Sequence, residues 1–255
     1  MKSISDLLLI SVLGAVLLTG CTYLTPDETQ ENAPQQPAEM VFTAVQIKAQ
    51  LLQAQPNLYK KQAAETGAGL PTATLNKFQA GLSLKQQGKY SQAREIFIAM
   101  SEKNPHLSGI WLQLGLITQQ LGKQTSTGKV QAYQDAVQDK AQNTVQYLNK
   151  AIAANSLNYL AHNELAQVLR QQGQFSQALS HYELAIKSWP AFAQGYLNRG
   201  ILYDLYMGEK TLALADYELY KALSNDNSRQ LKGWIIDLQR QIKMAEQVTQ
   251  TGSTL

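Results

Sequence analysis

Cysteine and histidine are scarce in this chain, which has one cysteine and three histidines among 255 residues. A single cysteine excludes an internal disulfide. The histidines, His106, His162 and His181, show no HExxH pattern and no acidic residues at ligand spacing, so we expect no metal site. GxSxG, P-loop and GxGxxG motifs are missing as well, and we therefore expect no enzymatic activity and no dissociable cofactor.

An excess of one charge is also missing. The chain has 22 Lys and Arg against 19 Asp and Glu, which gives a net charge of +3. These residues are scattered, and no basic block or basic-aromatic stripe occurs, so we expect no nucleic-acid partner. With 44% apolar and 16% charged residues, the composition is typical of a globular protein with an ordinary core.

The apolar run near the N-terminus is too short to span a bilayer. It follows Lys2 and covers residues 7–20, whereas a spanning helix needs about 20 apolar residues. Its length is typical of the core of a signal peptide, which we assign to residues 1–20.

The apolar run ends with Leu18, Thr19, Gly20 and Cys21, a sequence that resembles the lipobox of bacterial lipoproteins. The resemblance implies cleavage before Cys21 and a covalent lipid on that cysteine, the only prosthetic group we expect. It also implies an anchor in the membrane, and Thr22 in place of Asp implies sorting to the outer membrane, on its periplasmic face. An ordinary signal peptide with a chance cysteine and an uncleaved anchor are the alternatives.

A flexible segment and then a helical segment are predicted between the lipid site and residue 74. Residues 21–39 carry the predicted lipid site and then TPDETQENAPQQPAE, which has too little apolar surface to fold and is typical of a flexible tether. Residues 40–73 form an N-terminal helical segment, with a helix predicted over 40–53 that ends near Pro56. The sequence leaves open whether 40–66 is a degenerate repeat or fills a groove.

Two stretches of the chain have nearly the same sequence pattern. YSQAREIFIAMSEKNP at 90–105 and FSQALSHYELAIKSWP at 175–190 share an aromatic start, Ser-Gln-Ala, a second aromatic and a final proline. The second stretch belongs to a predicted helix-turn-helix unit over 159–192 with an apolar stripe on each helix. The unit resembles the 34-residue tetratricopeptide repeat (TPR). The residues that carry this resemblance are Leu165, Ala166, Leu169, Gly173, Ala178, Tyr182, Ala185 and Pro190.

The same register predicts a repeat array over 74–224. Its units are 74–107, 108–158, 159–192 and 193–224, of which the second carries an insert of about 17 residues near 123–139 and the fourth one extra residue before Ala213. We expect a capping helix over 225–247, because repeat arrays must cover their last apolar face, and a disordered tail over 248–255. The resemblance implies an all-α fold, a right-handed superhelix of antiparallel helix pairs.

In TPR arrays the first helices of successive repeats line a concave groove. The row at i, i+4 and i+7 that begins at Asn163, shifted by the repeat lengths, predicts a partner-binding groove. The predicted groove residues are Phe78, Leu82, Lys85, Leu112, Leu116, Gln119, Asn163, Gln167, Arg170, Leu197, Ile201 and Asp204.

Packing or solvation could equally account for this row. Phe78, Leu82, Leu112 and Leu116 could pack inside the array or under the helix at 40–53 instead of facing a groove. The polar members could form a merely solvated helix face. The resemblance also raises the carboxylate clamp of some TPR domains, but the paired lysines of that clamp are missing here, so we do not predict one.

The sequence therefore predicts a lipid-anchored periplasmic scaffold. It would bind protein or peptide segments during the assembly of an envelope machine, such as a pilus, a secretion apparatus or a peptidoglycan system; TPR lipoproteins of pilus systems are similar in size, anchor and repeat content. Two alternatives stay open: an accessory subunit or regulator of a cell-wall enzyme that uses the insert, and a self-assembling homo-oligomer.

Overall fold

The computed structural model describes residues 43–67, 69–124 and 143–252. The predicted signal peptide, the Cys21 motif, the tether and residues 125–139 of the insert lie outside these ranges, and expectations about them stay predictions. Among the helices so described, none combines the length and the apolar content that a membrane span requires.

Within the described ranges every regular element is a helix, and the helices follow one another in antiparallel pairs. Their bounds are α1 Ala44–Gln53, α2 Leu58–Gly67, α3 Thr72–Gln86, α4 Tyr90–Lys103, α5 Ser108–Gln124, α6 143–154, α7 Tyr159–Gln171, α8 Phe175–Ser188, α9 Ala193–Leu202, α10 Lys210–Ser224 and α11 Arg229–Gly252. We number the pairs α3/α4, α5/α6, α7/α8 and α9/α10 as repeats 1 to 4. The fold is all-α, a TPR-type superhelix.

A small residue faces a large one where the two helices of a repeat touch. A Cβ atom on Gly81 would lie 2.7 Å from the ring of Phe97, and one on Gly200 would lie 2.8 Å from the ring of Tyr217. Both rings are fully buried. Glycine therefore lets the paired helices approach closely enough for one aromatic ring to fill the space between them.

Glycines in the left-handed conformation form the turn between the two helices of a repeat. Gly88, Gly173 and Gly208 have φ angles of 73°, 76° and 73°, a conformation that side chains with a Cβ rarely adopt. In repeat 2 the corresponding Gly122 does not end the helix, since α5 continues to Gln124.

The extra residue of repeat 4 is absorbed by a π-helical turn. Residues Tyr203–Met207 form this turn directly after α9. A π turn holds one more residue than an α turn, so Ala213 and Tyr217 return to the register that Ala178 and Tyr182 occupy one repeat earlier.

The N-terminal helices pack against different parts of the array. Helix α1 has its main contacts with α10, the second helix of repeat 4, and Ala49 is buried there. In α2, Tyr59 makes an edge-to-face contact with Tyr159, with ring centroids 6.0 Å apart, and Lys60 lies over the ring of Trp189. Neither helix extends the array as a stacked repeat.

Helix α11 covers the last repeat. Leu231, Ile235 and Leu238 are buried against Tyr217 and its neighbours in α10. The helix begins at Arg229 and continues to Gly252, five residues beyond the predicted limit of the cap.

Candidate functional site

A polar row crosses the first helices of all four repeats. The sixth residue of each unit is an amide or a carboxylate, namely Gln79, Gln113, Glu164 and Asn198. Such a row along successive first helices offers donors and acceptors at regular spacing, a pattern that suits the backbone of an extended peptide.

Two buried asparagines join repeats 3 and 4 in this row. The Nδ2 of Asn198 donates to the Oδ1 of Asn163 at 2.8 Å, and Gln194 donates to the Oδ1 of Asn198 at 3.1 Å. Asn163 is 2% exposed and Asn198 is 5% exposed. Because an unpaired buried amide costs about 1–3 kcal/mol, this pair fixes the relative position of α7 and α9.

A lysine connects repeats 1 to 3. Lys85, half-buried at the end of α3, donates from its Nζ to the Oε1 of Gln113 in α5. Burial lowers the pKa of Lys85, and the nearby carboxylate of Glu164 in α7 opposes that change. The amide of Asn163 also donates to Glu164, at 3.4 Å. The polar row is thus one electrostatically connected surface from α3 to α9.

An arginine and several aromatic rings form the far end of the row. The guanidinium of Arg170 lies 5.5 Å from the ring centroid of Tyr206, which also packs against Phe175. The buried Nε of Arg170 has no hydrogen-bond acceptor among the described residues. Burial raises the pKa of Tyr182 to about 12, and the positive charge of Arg170 opposes the rise.

Asp204, at the start of the π turn, is already paired. Its carboxylate accepts from Lys210 at 2.7 Å and lies 3.4 Å from the hydroxyl of Tyr217. The charge of Asp204 is therefore largely neutralised by Lys210.

The structure separates the predicted groove residues by burial. Leu112 and Asn163 are buried, at 3% and 2% exposure, so neither presents its side chain to solvent. The other ten are half-buried. Of these, the apolar ones pack against the buried core clusters of the array: Phe78, Leu82, Leu116, Leu197 and Ile201. The half-buried polar ones are Lys85, Gln119, Gln167, Arg170 and Asp204.

Phe78 shows why the apolar members are drawn inward. Its ring meets Phe97 edge to face, with centroids 5.4 Å apart, and a Cβ atom added at Gly109 in the next repeat would lie 3.6 Å from it. It therefore seals the joint between repeats 1 and 2.

Five members of the polar row are not among the groove residues predicted from the sequence: Gln79, Gln113, Glu164, Gln194 and Asn198. The row that starts at Asn163 follows fifth, ninth and twelfth residues, whereas Gln113 and Glu164 are sixth residues. A signal was available, because the same repeat shifts applied to the sixth residue return a polar side chain every time.

Two histidines face each other between α7 and α8. The Nδ1 atoms of His162 and His181 lie 2.9 Å apart, and the Nε2 of His162 lies 3.0 Å from the backbone oxygen of Ser156. Burial lowers the pKa of both rings. In the described part of the chain, no group of three or more His, Cys, Asp or Glu residues could hold a metal ion.

Comparison with known proteins supports the repeat assignment. The tetratricopeptide repeat family model matches residues 145–191 and 163–228. No curated protein matches the chain.

Three solved structures share the fold. The structure of PilF from Pseudomonas aeruginosa is 19% identical with a TM-score of 0.54, and the match covers 68% of this chain and 70% of that one. TTC0263, a thermophilic TPR protein of Thermus thermophilus, is 16% identical with a TM-score of 0.54, covering 76% and 94%. MamA from Desulfovibrio magneticus RS-1 is 13% identical with a TM-score of 0.53, covering 73% and 94%. At these identities the likeness shows the fold alone.

Proposed function

We propose that this TPR array is a non-enzymatic scaffold anchored in the outer membrane, which binds protein or peptide partners in the periplasm. The polar row from Lys85 to Gln194 is the observation that carries the binding role, because it places amide and charged groups along the first helices of successive repeats. Gln167 and Arg170 of α7 are half-buried, and they can pair with a peptide backbone or carboxylate.

The anchor rests on the sequence from Leu18 to Cys21. A lipid at Cys21 would confine the scaffold to a surface, and confinement raises the effective concentration of a membrane-associated partner without any new contact. The Cys21→Ser variant should incorporate no labelled palmitate and should leave the membrane fraction; membrane retention without palmitate would contradict the lipid anchor and favour an uncleaved apolar anchor.

An envelope machine is the setting we propose for the partner. TPR lipoproteins of pilus systems resemble this chain in size, anchor motif and repeat content, and PilF of Pseudomonas aeruginosa has a similar fold. A pilus, a secretion system and a peptidoglycan system all present extended segments that such a surface could hold.

Site-specific crosslinking tests the binding surface. A photoreactive residue is placed at Gln167 on a first helix and, as the matched control, at exposed Gln177 on the second helix of the same repeat. In intact cells the Gln167 derivative should yield a crosslinked partner that mass spectrometry identifies, and the Gln177 derivative should not.

A second substitution separates the surface from the fold. Arg170→Ala should reduce the crosslink at Gln167 about tenfold, because a desolvated charge-assisted hydrogen bond contributes more than about 1 kcal/mol to binding. Equal crosslinking from both glutamines, or an unchanged yield in the Arg170 variant, would argue against the concave surface.

A further inference from the structure

One space recurs in the repeats, between the fourth residue of each repeat unit and the second helix of that unit. In repeat 2 it is filled by Trp111, whose ring stacks on Tyr147 with centroids 6.2 Å apart. Lys150 lies over the Trp111 ring with its Nζ 4.6 Å from the centroid, and the indole donates to the Pro105 oxygen at 2.7 Å. We call this space the fourth-residue slot.

Repeats 3 and 4 fill the slot as well. In repeat 3 His162 occupies it and contacts His181, the counterpart of Tyr147. In repeat 4 Tyr196 occupies it, with its hydroxyl donating to the Pro190 oxygen at 3.0 Å and the guanidinium of Arg199 5.7 Å from its ring. An aromatic or imidazole ring thus fills the slot in each of the three units.

Repeat 1 has no ring at this place. Its fourth residue is Lys77, and the residues that correspond to Tyr147 and Lys150 are Ile96 and Ala99. A cavity of about 380 Å³ lies there instead, lined mainly by apolar atoms. Lys77 and Ala99 are exposed, and none of the residues that the structure describes fills the space.

The charges around this cavity indicate what would fill it. Lys77 and Lys103 both line it, and no carboxylate of the described residues does. Repeat 2 shows the geometry that follows, because there a lysine ammonium lies over the ring that fills the slot. A ring from outside would bury apolar surface against Ile96 and Met100, while acidic residues next to it would pair with the two lysines.

We propose that the fourth-residue slot of repeat 1 binds an aromatic side chain of a partner polypeptide whose neighbouring residues are acidic. The site lies between α3 and α4 and does not include the polar row. It rests on the proposed function only in that the ligand is a polypeptide. Aromatic anchors in such pockets commonly dominate the energy of an interface.

Synthetic peptides provide the probe. One peptide carries a single Trp flanked by Glu and Asp, a second replaces the Trp by Ala, and a third replaces the acidic residues by Gln. Fluorescence anisotropy with the full-length chain should show saturable binding of the first peptide and affinities at least about tenfold weaker for the others. Equal affinity for the first peptide and for the peptide without the Trp, or without the acidic residues, would overturn the proposal.

Filling the slot from within should block this binding. Lys77→Trp supplies the ring that repeat 2 already has, so it should raise the melting temperature by a few degrees and abolish peptide binding. Lys89→Trp, at an exposed position in the turn before α4, is the matched control and should bind normally. Full peptide binding by Lys77→Trp would overturn the proposal.

Two further measurements keep the test decisive. Ala99→Glu, at an exposed position, places a carboxylate beside both lysines, and it should weaken the acidic peptide even if Lys77→Trp does not fold. Light scattering tests whether the slot is occupied by a second copy of this chain. Association that depends on concentration and is abolished in Lys77→Trp would assign the slot to a second copy and overturn the proposal of a partner polypeptide. The peptide assay reports on this site and the Gln167 crosslink reports on the concave surface, so failure of one and failure of the other are distinguishable.

Discussion

Acid should destabilise this protein through the His162–His181 pair. Only one proton fits between two nitrogens that are 2.9 Å apart. Since the Nε2 of His162 faces the oxygen of Ser156, that nitrogen carries the proton and donates, which leaves the Nδ1 of His162 as an acceptor for the Nδ1–H of His181. Protonation of both rings would set two N–H groups against each other.

The size of the effect follows from the pKa of His181. Burial, helped by the neighbouring His162, lowers it from 6.5 to about 4. A folded pKa below the unfolded value means that the unfolded state binds the proton more tightly, so stability is complete above about pH 6.5 and declines as the pH falls towards 4. The full shift corresponds to about 3 kcal/mol, and partial exposure of the ring reduces this to about 1–2 kcal/mol.

Urea denaturation followed by circular dichroism measures this loss. The free energy of unfolding is compared between about pH 8 and about pH 4.5 for the unsubstituted chain, His181→Gln and His106→Gln, whose histidine is exposed. The unsubstituted chain and the His106 variant should lose about 1–2 kcal/mol more than His181→Gln over this interval. Identical pH dependence in all three would refute the reasoning.

Two further predictions concern the contact between α9 and α10. Gly200→Ala should lower the free energy of unfolding by about 1–2 kcal/mol, because its Cβ would lie 2.8 Å from the Tyr217 ring. The control Gly233→Ala has open space around it in α11 and should raise the free energy of unfolding by about 0.5–1 kcal/mol through helix propensity. Urea midpoints measure both changes, and a loss of stability in Gly233→Ala would contradict the packing argument. Asp216→Asn should cost about 3 kcal/mol, since the carboxylate accepts two 2.8 Å hydrogen bonds from Arg199 and is 4% exposed, and a loss below about 1 kcal/mol in the same assay would contradict a buried ion pair.

The repeat register could be predicted because its signals are local. Gly81, Gly200 and the aromatic rings opposite them recur at fixed spacing, and Pro105 and Pro190 close the second helices of the first and third units. The extra residue before Ala213 was visible as a shift of one position. The sequence did not reveal that a π turn at Tyr203–Met207 would absorb it, because a loop of one more residue would restore the register equally well.

The position of α1 could not be predicted for a different reason. Its docking on α10 joins segments that are far apart in sequence, and its apolar residues, such as Val45 and Ile47, fit many surfaces equally well. Burial of Leu112 inside the array was one of two alternatives that the sequence left open, whereas the burial of Asn163 was not expected, since a polar row on one helix becomes an inner contact once the next repeat packs against it.

Two positions within the repeats differ in how far their side chains can vary: the glycine between the paired helices and the fourth residue of the unit. The contact between a small residue and a large ring is kept at Gly81 and Gly200, because a larger side chain there would push the paired helices apart. The fourth residue of the unit varies instead in size and polarity, from Lys77 to Trp111 to His162. Each change alters a local property without altering the fold: an open cavity, a ring stacked under a lysine, or a pair that acid disrupts. Repeat proteins of this kind can therefore acquire new binding and pH responses at the fourth residue while the stacking that stabilises them is preserved.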